Sequence, residues 1–465
     1  MRYHARLLTP CETRWSPPPQ FTMRAPPIVT ALASTILAGE QTSDGIVARC
    51  ARTLGRPWRW LGPLARRFIV AHANQTRPRR RDVIQFLLAD EALQRALLRH
   101  GTRIEVQSWA PNPQVMQPVE AAAKWDLPAI ESSGALADWL QLTVTELEWF
   151  ADLAGRASDR HATQQLEHYR YQVQAKRSGG VRLLESPKPR LKALQRRILE
   201  LILNRIEPHA AAHGFRRGHS IKTFVAPHAG QRVILRIDLR DFFPSITRAR
   251  IQGFFRTAGY PESVADLLGG LCTNSAPTSA FANAPVGVDP QTMWEARHLY
   301  ARPHLPQGAP TSPALANLCA YRADVRLAGL AHAAGAQYTR YADDVAFSGG
   351  PAFDTCVERF SSHAAAVLLE EGFAMNHRKT RVMRQGVRQH LAGLVVNENP
   401  NLPRTDFDRL KAILHNCARL GPESQNREAH PHFRAHLEGR VSYMEMINPT
   451  KAQRLRAVLQ RIEWP

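Results

Sequence analysis

The sequence is poor in cysteine, short of acidic residues and without a long apolar run. Its six cysteines (Cys11, Cys50, Cys272, Cys319, Cys356, Cys417) are scattered over 465 residues, and no two form a C-x-x-C pair. That argues against a disulfide framework and against a zinc ribbon, and for a reducing compartment. His430, His432 and His436 stand closer together, but their spacing fits no familiar zinc ligand pattern. No apolar run reaches about 18 residues, so no membrane span is expected. The apolar stretch 29–38 follows a lead rich in arginine and proline, including Pro17-Pro18-Pro19, which does not read as a secretory signal. Residues 1–28 are expected to be a disordered lead, with Met23 as an alternative start. The shortage of acids leaves 40 Asp/Glu against 61 Lys/Arg, a net charge of +21. A polyanionic partner is the first expectation.

The charge is unevenly placed. Residues 165–237 hold 15 Lys/Arg and 4 Asp/Glu, residues 1–125 hold 18 and 8, and residues 126–164 hold 2 and 7. Residues 29–125 read as a basic helical extension of unknown role. Trp58, Trp60, Leu64 and Phe68 suit one apolar helix face, and Arg77, Arg79, Arg80 and Arg81 precede a helical stretch over Val83–Leu98. That cluster is either a solvated helix start or a phosphate-contacting patch. The proline breaks in 111–118 suggest a linker. Residues 126–164 read as a small helical module in which Leu136, Leu140, Leu142, Leu147 and Phe150 pack together. A helix over Leu191–Ile206 follows from its three- and four-residue apolar steps. Residues 272–303 read as an irregular insertion. The last 65 residues suggest three helices, the first capped by Thr405 and stopped by Gly421.

What the sequence does have is a pair of adjacent acids in Tyr341-Ala342-Asp343-Asp344. The flanks, Tyr338-Thr339-Arg340-Tyr341 and Val345-Ala346-Phe347, predict a tight β-hairpin with the acids at its tip. Neighbouring carboxylates repel, a cost that a divalent cation removes. A second acid-bearing strand, Val233 to Ile246 with Asp238 and Asp241, lies 105 residues upstream, counted from Asp238 to Asp343. Acids on two strands suit a two-metal phosphoryl-transfer site, whose ions sit about 3.5–4 Å apart. Asp241 is more readily a surface acid than a ligand.

Between these segments lies Leu305-Pro306-Gln307-Gly308-Ala309-Pro310-Thr311-Ser312-Pro313. After them come Gly372-Phe373, Asn376, Lys379-Thr380 and then Leu391-Ala392-Gly393-Leu394-Val395-Val396-Asn397. The order D-x-x-x-F-F, L-P-Q-G-x-x-x-S-P, Y-A-D-D, G-x-x-x-N-x-x-K-T, G-L-x-V-N resembles reverse transcriptases, in particular the bacterial retron and retron-like enzymes, over roughly residues 165–460. The resemblance implies an α+β right-hand polymerase, with fingers and palm over 165–400, a helical thumb over 401–465 and the α-helical extension before them. It implies that Asp238 and Asp343 hold two Mg²⁺ ions, with Mn²⁺ as a substitute, and that Asp344 is more peripheral. Phe243 falls where the family places an aromatic beneath the incoming sugar, and Phe242 is expected in the core. Lys176-Arg177-Ser178-Gly179-Gly180-Val181-Arg182 resembles the fingers hairpin, where Gly179-Gly180 suits a two-residue turn. Arg182, assisted by Lys176, would clamp the triphosphate. Gln307 and Gly308 would line the nascent base pair. Lys379 would stand near the pyrophosphate as a proton donor, against the reading of a solvated surface lysine.

The retron pattern N-A-x-x-H is here Phe224-Val225-Ala226-Pro227-His228, keeping only the histidine, and V-T-G is Leu391-Ala392-Gly393. The implied partners are a structured noncoding RNA as template and primer, deoxynucleotides, an RNA–DNA hybrid product and an effector protein, in the bacterial cytoplasm and in anti-phage defence. Two other readings are a non-polymerising nucleic-acid scaffold and a group II intron-type enzyme. The first is disfavoured by the intact Asp238, Asp343, Asp344, Arg182 and Gln307. The second is expected to carry a larger thumb and further DNA-binding segments.

Overall fold

The structure, a computed structural model, describes residues 26–39, 41–73, 78–108, 115–156, 167–176, 180–285 and 287–464. The expected lead up to residue 25, Arg77, residues 111–114, residues 157–164 and residues 177–179 lie outside the described residues. The chain divides into two compact units, one up to Gln114 and one from Val115.

The first unit contains α1 (Pro27–Leu37), α2 (Ser43–Thr53), α3 (Leu61–Ala71), α4 (Arg80–Ala89) and α5 (Glu91–His100). Leu32, Ile46, Leu64, Phe68, Val83 and Leu87 form its own buried core. The single helix expected over Val83–Leu98 is broken at Asp90. That residue is extended (φ −73°, ψ 100°), and its carboxylate accepts from Leu93 N at 2.7 Å to cap α5. The same carboxylate takes both arms of Arg67 at 2.7 and 2.9 Å. An acid that reads as a helix-surface residue is thus a cap. Trp58 and Trp60 precede α3 rather than sitting on it, and pack half-buried against this core.

The second unit opens with α6 (Glu120–Ala123), α7 (Ser133–Leu140) and α8 (Val144–Ala151). A capping box between Thr143 and Glu146 starts α8. Leu136, Leu140, Leu147 and Phe150 pack together as expected, but within the main core of the unit. The second half of the expected linker is also built in: Gln117 N donates to Gly259 O at 2.9 Å. Next come the antiparallel ribbon β1 (Tyr169–Ala175) and β2 (Val181–Pro187), then α9 (Pro189–Leu201), ended by a short turn over Leu203–Arg205. The ribbon's last pair is Ala175 with Val181, so residues 176–180 connect the strands. Gly179 of the expected Gly179-Gly180 turn lies outside the described residues, and Lys176 N donates to Gly180 O at 2.9 Å.

After α10 (Ile221–Val225) comes β3 (Val233–Arg240), the centre of the main sheet. β3 is followed by α11 (Phe242–Ser245), α12 (Arg248–Thr257), α13 (Glu262–Leu271), α14 (Pro290–Ala301) and α15 (Ser312–Ala333). The insertion expected to be irregular therefore holds α14. Asp289 caps it by accepting from Thr292 N at 2.8 Å, and Pro290 fits its first turn. β4 (Gln337–Tyr341) and β5 (Asp344–Gly349) form the predicted hairpin. Then come α16 (Pro351–Glu370), β6 (Ala374–Met375), β7 (Arg381–Arg384), β8 (His390–Leu391) and β9 (Leu394–Val395). β5 pairs with one edge of β3, and β6 and β7 share the other edge. β3 is buried at six of its eight positions, which accounts for its apolar Val233, Ile234, Leu235, Ile237 and Leu239 on both faces.

The chain closes with α17 (Arg404–Leu420), α18 (Phe433–Ile447) and α19 (Pro449–Leu459), packed through Leu410, Leu414, Leu437, Val441 and Leu455. α17 begins after Pro403, two residues earlier than a Thr405 cap requires, and Gly421 (φ 83°) stops it as expected. Among the described residues no helix is long and apolar enough to cross a membrane.

Candidate active site

Strand register places the acids. Asp238 on β3 lies directly across from Asp344, the first residue of β5, and Leu239 N donates to Asp343 O at 2.8 Å. Ala342 and Asp343 form the hairpin tip, with Ala342 in the left-handed region at φ 55°. Asp238 is almost fully buried at 5% exposure, while Asp343 and Asp344 are half-buried. Burial, reinforced by Asp344 and Asp238, holds the Asp343 carboxyl above its ordinary range. Burial also raises Asp344, against the pull of Arg236. These groups resist ionising alone, the state that a cation relieves.

Each acid is held by a different partner. Asn376 Nδ2 donates to Asp238 Oδ2 at 3.1 Å, and Lys379 Nζ to Asp238 Oδ1 at 3.1 Å. Lys379 is thus an ion-pair partner of Asp238 rather than a solvated surface lysine. Arg236 donates twice to Asp344 Oδ1, at 2.9 and 2.7 Å. Among the described residues no three acids, histidines or cysteines are drawn to metal-ligand spacing. The donor set is nevertheless hard carboxylate oxygen, which suits Mg²⁺.

Asp241 departs from the expected surface acid. It sits at φ 47°, half-buried, and its Oδ1 takes Lys176 Nζ at 3.0 Å. The turn end of the β1–β2 ribbon is therefore tied to the segment after β3. Arg182 lies exposed on β2. Burial raises the Tyr300 phenol, whose oxygen accepts from Leu183 N at 3.3 Å.

Phe242 is buried in the core as expected, and Phe243 is half-buried. The Phe243 ring lies 6.1 Å from that of Phe215, which also stands 6.3 Å from Tyr341. Phe215 is half-exposed and left-handed (φ 58°), a strained setting for an aromatic. Reading the sequence missed it, because its glycine- and histidine-rich surroundings look like an ordinary loop.

Gln307 and Gly308 are placed by a buried network. Gln307 O accepts from Glu185 N at 2.8 Å. Gly308 has φ 128°, and a Cβ there would lie 2.9 Å from Glu185 O. The close approach that requires glycine is thus to β2. The Glu185 carboxylate takes His304 Nε2 at 2.8 Å and Asn274 Nδ2 at 2.8 Å. Burial opposes protonation of His304, but Glu185 outweighs it and raises the imidazole. Nothing in the sequence links Glu185 with His304, 119 residues away. Ile447 at the end of α18 shares one buried cluster with Ala346 on β5, with Tyr341 packed against it, so the C-terminal helices reach the hairpin that bears the acids.

A family model for reverse transcriptase (RNA-dependent DNA polymerase) matches residues 174–405. The Retron Mx65 reverse transcriptase of Myxococcus xanthus is 46% identical over 293 residues, 63% of this chain and 64% of that protein. The chain therefore spans a little under two thirds of the Mx65 protein. The Retron Mx162 reverse transcriptase of the same organism is 36% identical over 359 residues, 74% of this chain and 70% of that protein. The Retron Ec86 reverse transcriptase of Escherichia coli is 28% identical over 300 residues, 63% of this chain and 82% of that protein. With the reverse transcriptase model spanning β3 and the acid hairpin, and the Mx162 match running well beyond it, the chain belongs to the retron reverse transcriptase family.

Proposed function

We propose that the chain is an RNA-directed DNA polymerase that copies a structured noncoding RNA into DNA by two-metal nucleotidyl transfer, in the setting of anti-phage defence. The observation that carries this reading is the register that sets Asp238 across from Asp344 with Asp343 in the adjoining turn. Asp238 and Asp343 would hold two Mg²⁺ ions, and Asp344, occupied on one oxygen by Arg236, would stay peripheral. Bound ions supply charge neutralisation at the attacking and leaving oxygens. Arg182 and Lys176 bind the triphosphate, and Lys176 leaves Asp241 to do so. Lys379 holds a proton at its Nζ near the leaving pyrophosphate. Gln307 and Gly308 form the floor beneath the nascent base pair. Residues 165–400 serve as fingers and palm and 401–465 as thumb. The direct test is extension of a primed RNA template with deoxynucleotides. Extension that requires Mg²⁺ and stops on chelation supports the reading, and no extension on any primed RNA would end it.

Phe243 selects the sugar by leaving no room for a 2′-hydroxyl. Phe243→Ala is expected to raise ribonucleotide use relative to deoxynucleotide by about tenfold or more, on the scale of 1–3 kcal/mol that pocket fit discriminates. The two specificity constants measure it. An unchanged ratio would return Phe243 to core packing and leave the gate unassigned.

The first unit docks RNA. It is basic, has a core of its own and carries Arg79, Arg80 and Arg81 at the start of α4, where the helix dipole disfavours them. A protein beginning at Val115 keeps every site residue. It is expected to extend an added primer–template normally but to bind its cognate RNA more weakly, with a salt slope lower by roughly one per lost phosphate contact. Equal affinity and equal slope in an active truncation would point to a protein partner instead.

A further inference from the structure

Beneath the Ala342–Asp343 turn lies a set of buried polar groups that the reaction does not use. Arg340 on β4, Asp324 and Asn317 on α15 are 1%, 0% and 2% exposed. Asn317 and Asp324 are seven residues apart, so they share one face of α15. Arg340 donates from Nε and Nη2 to the two oxygens of Asp324 at 2.7 and 2.6 Å. Its Nη1 reaches Asn317 Oδ1 at 3.0 Å and Ala342 O at 3.2 Å. Tyr338 OH adds a bond to Asp324 at 2.6 Å. Asn317 Nδ2 in turn donates to Gly214 O at 2.8 Å.

Gly214 closes the arrangement from the other side. Ala211 O accepts from Arg340 N and His213 N donates to Arg340 O, both at 2.8 Å, so the 211–214 segment runs along the free edge of β4. A Cβ on Gly214 would lie 2.7 Å from Ala342 N and 3.2 Å from Tyr341 C. Both are backbone atoms and cannot swing away. Gly214 is not left-handed, so contact alone forbids a side chain there. The turn is thus gripped on two sides, by Arg340 on the Ala342 carbonyl and by Gly214 against the Ala342 amide.

This grip is costly. An arginine–carboxylate pair in the core loses its hydration, and apolar residues of similar volume often serve stability as well or better. Ala342 is also held in a left-handed conformation that a non-glycine residue resists. What the charges supply is direction: they fix the peptide from which the Asp343 side chain departs. We propose that Arg340, locked by Asp324 and Asn317 and backed by Gly214, is a positioning residue that sets the place of Asp343 relative to Asp238 and so the affinity of the site for Mg²⁺. The inference rests on the reading of Asp238 and Asp343 as the metal ligands. Mg²⁺ demands near-ideal octahedral geometry at about 2.0–2.1 Å, so a small shift of one carboxylate penalises it more than a softer-fitting divalent ion.

The test is Mg²⁺ and Mn²⁺ binding to the full-length protein by calorimetry, alongside the Mg²⁺ half-saturation of primer extension. Gly214→Ala pushes the turn without touching a charge, and Asn317→Ala loosens the grip while leaving the Arg340–Asp324 pair. Both are expected to weaken Mg²⁺ binding, by about tenfold for Gly214→Ala, and to weaken Mn²⁺ binding less. Val357→Ala, in the core on α16, should lower the thermal midpoint and leave both metal affinities alone. If Gly214→Ala does not fold, Asn317→Ala decides alone. Wild-type Mg²⁺ binding in the folded variants overturns the inference, as does an equal loss in Val357→Ala. Asp343→Asn separates the two readings. If it abolishes metal binding while Gly214→Ala and Asn317→Ala do not alter it, positioning fails and the metal site stands. If it leaves binding intact, the metal assignment fails and the inference with it.

Discussion

Asp238→Asn or Asp343→Asn is expected to lower nucleotide addition by at least about a thousand-fold while RNA binding survives. Removing one charge from a two-ion clamp costs several kcal/mol of transition-state stabilisation, and each 1.36 kcal/mol is tenfold. Asparagine has the shape of aspartate, so packing around β3 and the turn is kept. The Asp343 carboxyl is pushed upward by burial, by Asp344 and by Asp238, so the native protein without metal carries an unrelieved repulsion. Asp343→Asn should therefore match or exceed the wild-type thermal midpoint in chelator while losing activity. That combination separates a functional loss from misfolding. Single-nucleotide extension, RNA-binding titration and thermal unfolding in chelator check the three parts. Appreciable incorporation by either purified variant would sink the assignment of these acids.

The acids were legible because their chemistry is written locally. An Asp-Asp pair between apolar flanks predicts a hairpin tip, and an acid inside an apolar strand is unusual enough to mark β3. The hairpin, β3 and three C-terminal helices all followed from local pattern. What escaped were partners brought together only by the fold. Asp324 lies in the middle of a 22-residue helix, where an acid reads as solvated surface, yet it is fully buried beneath Arg340. Glu185 and His304 are likewise invisible as a pair. Gly214 looked like one more loop glycine until the turn of the hairpin was set against it. Other misses were local. Asp289-Pro290 is a helix-start signal that a surrounding wealth of proline, alanine and asparagine concealed, and Asp90 stops one helix only because it caps the next.

His228 is the residue kept from the altered N-A-x-x-H segment, and its place predicts a specific sensitivity to acid. The ring is fully buried between the two strands of the acid hairpin, with Nδ1 2.7 Å from Ser348 Oγ and Nε2 2.7 Å from Thr339 Oγ1. Thr339 Oγ1 donates to Phe224 O at 2.9 Å. Its one proton is thereby spent, so it must accept from Nε2–H. A neutral ring with its proton on Nε2 then takes the Ser348 hydroxyl proton on Nδ1 and satisfies both bonds. Burial, with His213 nearby, pushes the imidazole down to about 3. The folded value lies below the unfolded value of about 6.5, so the unfolded chain binds the extra proton first. The stabilisation is complete above about pH 6.5 and drains away as pH falls toward 3, at about 1.4 kcal/mol per pH unit. Between pH 7 and 5 the loss from this residue is about 2 kcal/mol. His228→Gln keeps a polar side chain that cannot take up the proton. It is expected to be less stable than wild type at pH 7 but to lose about 2 kcal/mol less on going to pH 5. The carboxylates that titrate in this range are common to both proteins and cancel in the difference. Denaturant midpoints of the two proteins at both pH values provide the check. Parallel losses would mean that His228 is not held neutral between Thr339 and Ser348, and the acid lability of the hairpin would need another source.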